Sequence, residues 1–230
     1  MRDVVRPIGD PAMGLARLIT FSDAVFAIAA TLLVIDLRPP QTASSDYEAA
    51  LQAYLGQPGP FIATAIGFLV VGSFWASHRR IFALVRESSG GLVWANLLFL
   101  FGVAIQPFLT AALAEHDPNR TSVLLYTFGQ IGTCAGQLTV WIVLLRHRTM
   151  LAERATPRRI TYVSLQLMRA PLTFLLSIPV TLMVGPGLGM LSWAVMVALA
   201  VVVTRLFRDL EHDPAPAGHA RRVRRAATPG

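Results

Sequence analysis

The stretch Arg17-Leu-Ile-Thr-Phe21-Ser22-Asp23-Ala-Val-Phe-Ala-Ile28-Ala-Ala-Thr31-Leu32-Leu-Val-Ile35-Asp36-Leu37 decides the class of fold. From Leu18 to Leu37 it carries few polar side chains, and Arg38-Pro39-Pro40 ends it. About 20 mostly apolar residues rising about 1.5 Å each cross a hydrocarbon core about 30 Å thick. The run is longer than the apolar core of a cleaved leader, and Asp36-Leu37-Arg38-Pro39 makes a poor cleavage site, so it reads as a retained first span.

Working outward, the same length and apolarity recur in five further stretches: 59–80 (apolar core Phe61–Ala76), 92–114, 123–145, 162–184 and 188–207. Pro107 falls inside the third. Pro171 and Pro179 fall inside the fifth, where a kink is expected, and Gly185-Pro186-Gly187 makes the turn into the sixth. None alternates with period two, so the expected fold is all-α with six membrane spans over residues 1–212. Residues 213–230, rich in Pro, Ala and Arg, cannot bury a core and are expected to be a disordered tail.

Composition fits this reading. The 230 residues are 54% hydrophobic and only 14% charged, with a mean hydropathy of +0.55, whereas soluble domains are about a quarter charged. The net charge of +7 comes from 20 basic residues, every one Arg. Seventeen of them lie in the N-terminal segment, the 2–3 loop, the 4–5 loop and the C-terminal segment. Arg38 and Arg120 fall on the other side, and Arg169 falls within span five. By the positive-inside rule both termini are cytoplasmic, and the charge reports sidedness rather than a nucleic-acid partner. A single cysteine, Cys134, excludes a disulfide framework, and the dispersed histidines have no metal-ligand spacing, so no metal site is expected.

Intramembrane polar groups carry the functional information. Arg17, Phe21, Ser22 and Asp23 cluster at the cytoplasmic end of span one, at the depth of Trp75 and His78 in span two and Asn96 in span three. A polar network fixing span one against its neighbours is the expected role. A Ser22/His78/Asp23 hydrolytic triad lacks a Gly-flanked elbow and an oxyanion donor, and no catalytic residue is assigned. Elsewhere on span one, Ala24, Ile28, Thr31, Leu32 and Ile35 share an arc of about 100°. Such an arc suits a lipid-facing or packing stripe. A stripe of that kind is the commoner outcome; the sharper reading is an aliphatic pore constriction that gates by dewetting, which spacing alone does not select.

The motif Arg17-x-x-x-Phe21-Ser22-Asp23, with Phe74-Trp75-Ala-Ser-His78-Arg79 and Asn96-Leu-Leu-Phe-Leu-Phe-Gly-Val-Ala-Ile-Gln-Pro107-Phe108, resembles the transmembrane protein 175 family of endosomal and lysosomal potassium channels and their bacterial relatives. The resemblance covers residues 17–108; beyond them only hydropathy and helix count agree. A single copy of the motif resembles the bacterial form. This implies a homotetramer in the cell membrane that passes potassium ions, with no cofactor. Carried over by distance from Asp23, the resemblance makes Ile28 the first aliphatic ring of the pore, Leu32 and Ile35 further layers, and Thr31 the hydroxyl that contributes to selectivity.

Two other classes remain as alternatives. A secondary transporter would need broken helices in both halves, for which span five is the candidate and the first half offers none. A membrane-anchored assembly or interaction factor would dock through the Arg tail.

Overall fold

The structure, a computed structural model, describes residues 11–35, 37, 40–41, 46–114 and 119–193. It is helical throughout: α1 (Pro11–Ile35), α2 (Tyr47–Leu55), α3 (Pro58–Phe82), α4 (Gly90–Ala104), α5 (Gln106–Ala114), α6 (Arg120–Arg146) and α7 (Pro157–Met183). A single 3-10 turn, Arg148–Met150, precedes α7. Among the described residues five helical stretches are long and apolar enough to cross a membrane, α4 and α5 together making one of them. Residues 186–193 are helical, but most of the sixth expected span and all of the 213–230 tail lie outside the described residues.

Local chemistry sets the helix ends. Ser89 caps α4 by accepting from the Leu92 N–H at 3.3 Å. Asn119 and Ser122 form a reciprocal capping box on α6, and Thr156 caps α7 ahead of Pro157 at its first position. These satisfy donors that the first turn of a helix otherwise leaves bare. Gly185, at φ 133°, takes the left-handed turn after α7 that a side chain would strain. Pro171 and Pro179 both lie inside α7, which runs on as one helix.

The apolar core joins α1, α3, α4, α6 and α7 around Phe26, Leu33, Val71, Phe99, Val103, Val140 and Leu144. Helices α4 and α6 pack closest. A Cβ on Gly136 would stand 2.8 Å from the Phe99 Cα, and one on Gly102 would stand 2.9 Å from the Thr133 Cα. In a bilayer, where lipid is as apolar as leucine, such close backbone approach supplies much of the association.

Near Pro107 the third span is interrupted, α4 ending at Ala104 and α5 starting at Gln106. Proline has no N–H to give the turn before it. This corrects the expectation of an unbroken first half. The break is closed from within the protein. The Gly102 carbonyl accepts from Gln106 Nε2 at 3.3 Å and from the Thr133 hydroxyl at 3.1 Å. Gln106 and Gln130 exchange amide hydrogen bonds at 2.7 and 3.4 Å. All three side chains are buried.

Candidate functional site on the first helix

α1 has two sharply different sides. Leu15, Leu18, Ser22, Phe26, Ala29 and Leu33 are all buried, and at 100° per residue they fall within about 80° of one another. This side packs onto α3, α4 and α5. The arc isolated from the sequence is left uncovered by the protomer: Ile28 is 59% exposed, Leu32 41% and Ile35 63%, with Ala24 and Thr31 exposed beside them. The Thr31 hydroxyl donates to the Ile28 carbonyl at 2.9 Å. Its proton is thereby committed to the backbone, and the oxygen lone pairs remain for an outside donor or cation.

On the buried side a directional chain of hydrogen bonds joins three helices. His78 Nε2 donates to Asn96 Oδ1 at 3.0 Å. Asn96 Nδ2 donates to Ser22 Oγ at 2.9 Å, and the Ser22 hydroxyl donates to the Leu18 carbonyl at 2.8 Å. All three side chains are 0–1% exposed. The His78 ring lies between Phe82, stacked with centroids 4.2 Å apart, and Phe99 at 6.0 Å, with Phe26 tilted against it at 5.5 Å. Serine on α1, asparagine on α4 and histidine on α3 therefore join the three helices at one level.

Asp23 is held separately. Its carboxylate accepts from the Trp75 indole N–H at 2.9 Å, and the Arg79 guanidinium lies over that indole, 4.8 Å from the ring centre. Both side chains are partly open. Removing the carboxylate, as in Asp23→Ala, should lower thermal stability by about 1–2 kcal/mol, the low side of what a hydrogen bond to a charged group contributes, because both side chains are open to solvent. Thermal unfolding of the purified protein reads this. A variant that keeps full stability but changes ion preference would instead place Asp23 on the conduction path.

Arg17 and Phe21 depart from the expected network. Both are exposed, and by helical rotation they lie on the Ile28 side of α1, within about 20° of that residue. The triad geometry is absent, since His78 is bonded to Asn96 and Asp23 to Trp75. The Gln106–Gln130–Thr133 cluster carried no role in the sequence reading, although Gln106 and Gln130 stand out as amides in otherwise apolar spans. Among the described residues no group of His, Cys, Asp or Glu could hold a metal ion.

A family model described as endosomal/lysosomal potassium channel TMEM175 matches residues 17–107, the stretch that holds both the exposed arc and the hydrogen-bond chain. Over these residues the chain is similar to the TMEM175 family. A protein named as a potassium channel from Streptomyces collinus is 33% identical over 135 residues, covering 56% of this chain and 64% of that one. The endosomal/lysosomal proton channel TMEM175 of mouse is 32% identical over 147 residues, covering 58% of this chain and 29% of its own length. The matches thus span just under two thirds of the Streptomyces relative and less than a third of the mouse one. The crystal structure of a lysosomal potassium-selective channel TMEM175 homologue from Chamaesiphon minutus superposes with a TM-score of 0.62 at 25% identity, over 85% of this chain and 97% of that one. The helical TMEM175 fold therefore extends well past the residues the family model matches.

Proposed function

We propose that this chain is a potassium-permeable cation channel of the cell membrane, working as a homotetramer in which α1 lines the pore. One observation carries the reading. The first helix is locked by polar bonds on one side and offers an aliphatic arc with a single hydroxyl on the other, within the residues that the TMEM175 family model matches. Relatives named as potassium channels support the choice of ion.

Four copies of Ile28 around an axis would form a dry neck, with Leu32 and Ile35 about 6 and 10.5 Å further along it. A hydrated ion cannot enter such a neck until the lining helices separate or the neck wets. Thr31 would add a ring of oxygen acceptors between the aliphatic layers, which favours cations over anions. The arginine-rich ends of the spans would face the cytoplasm, as would both termini. K+ is the permeant species, and the mechanism calls on neither a cofactor nor a catalytic group.

A transporter would use a helix break as a binding site, with free backbone polar groups turned to a substrate. The break at Pro107 has its Gly102 carbonyl bonded to Gln106 and Thr133, which argues for a static wall. The test is purified full-length chain in liposomes under opposed potassium and sodium gradients. A passive current reversing toward the potassium equilibrium potential is expected. Absence of current, or saturable flux coupled to a second ion, would sink the proposal.

A further inference from the structure

The loop from α3 to α4 and the loop from α6 to α7 are fastened together. The Arg86 N–H donates to the Met150 carbonyl at 2.8 Å and the Ala152 N–H to the Leu84 carbonyl at 2.9 Å, with Val85 and Leu151 paired between them as an isolated antiparallel bridge. The Arg86 guanidinium crosses the same seam to the Thr149 carbonyl at 3.0 Å. Leu84, Val85 and Met150 are buried beneath it. The two loops form one ledge at this end of the bundle.

The segments 79–89 and 146–159 that meet at this ledge hold eight arginines and two glutamates. Glu87 is already paired with Arg86 at 3.3 Å. Arg148, Arg154 and Arg158 are exposed. Trp94, one turn into α4, is 75% exposed, and Arg79 is stacked on Trp75.

Sidedness alone requires positive charge in the loops but not a fixed scaffold beneath it. Here like charges are held on a braced backbone, at a mutual repulsion that an anionic oxygen group relieves. The guanidinium fork matches two phosphate oxygens at once, and a braced ledge loses little freedom on binding. Exposed indole favours the headgroup layer.

We propose that this ledge is a docking site for the phosphodiester headgroup of an anionic membrane lipid. The inference rests on these helices being membrane spans and is independent of conduction.

The test is thermal unfolding of the full chain in neutral detergent, titrated with phosphatidylglycerol or with phosphatidylcholine. Phosphatidylglycerol should stabilise the chain well below the concentration at which phosphatidylcholine does. Each exposed arginine near an anionic surface is worth about fivefold in affinity. The triple variant Arg148→Gln/Arg154→Gln/Arg158→Gln should therefore need roughly a hundredfold more phosphatidylglycerol. Arg154→Gln alone should need about fivefold more, which keeps the test readable if the triple variant is unstable. Arg120→Gln, at the first residue of α6 and so at the end of that helix opposite the ledge, should behave as the unaltered chain. An unchanged titration in the triple and single variants overturns the proposal. So does equal stabilisation by inorganic phosphate, or an equal loss in Arg120→Gln.

Discussion

Ile28→Asn should raise potassium flux through the reconstituted protein by about tenfold or more. If the neck is dry, the barrier to an ion is chiefly the water it must shed, and four amides would supply oxygen where four sec-butyl groups supply none. A gain of about 1.4 kcal/mol at the barrier is already tenfold in rate. The protomer should fold as before, because Ile28 is 59% exposed and contributes little to the packing beneath α1. Val34→Asn is the matched control. Val34 is 54% exposed but lies about 120° around the helix from Ile28, so its flux should stay at the level of the unaltered chain. Equal flux in Ile28→Asn and the unaltered chain, at matched incorporation, would remove Ile28 from the constriction. A rise in both variants would mean a general leak.

The second large effect is on stability. Asn96→Ala should destabilise the protein by about 2–5 kcal/mol, more than the loss of Asp23. The amide is the middle member of the buried chain, accepting from His78 and donating to Ser22. Its removal orphans the His78 N–H, at about 1–3 kcal/mol for a buried donor, and leaves a void that adds to the cost. Ser22→Ala strands the Asn96 Nδ2 donor but deletes a single oxygen and leaves the His78–Asn96 bond in place, so it should cost less. Thermal unfolding of the three purified proteins orders them. If Ser22→Ala proves as damaging as Asn96→Ala, the amide is not the joint that holds α1 in rotation.

Much of this architecture was legible in the sequence because a bilayer leaves a chain few choices. Runs such as Leu18–Leu37 could only be helices, and a polar side chain within one demanded a partner. That demand brought Ser22, His78 and Asn96 together on depth alone. Depth does not give rotation, however. Arg17 and Phe21 share the depth of the network yet fall on the Ile28 side of α1, and Asp23 turned out to serve Trp75 rather than His78. The Gln106–Gln130 pair was within reach of the same reasoning, since both amides sit in apolar spans. What hid it was the break at Pro107, whose unfilled Gly102 carbonyl is a consequence of backbone geometry that no residue pattern announces. The Val85–Leu151 seam was less visible still. Two residues are too few to show strand periodicity, and their pairing depends on where two separate helices end.

Cys134 is the only thiol in the sequence, and the structure encloses it at 2% exposure within the core shared by α4 and α6. Toward charged, water-borne thiol reagents the native chain is therefore chemically silent. A cysteine placed at position 28, 32 or 35 would be the sole reactive sulfur of each protomer, with no need to disturb the packing around Cys134. The rate at which it is modified would report whether water reaches that level of the first helix, at rest and during conduction.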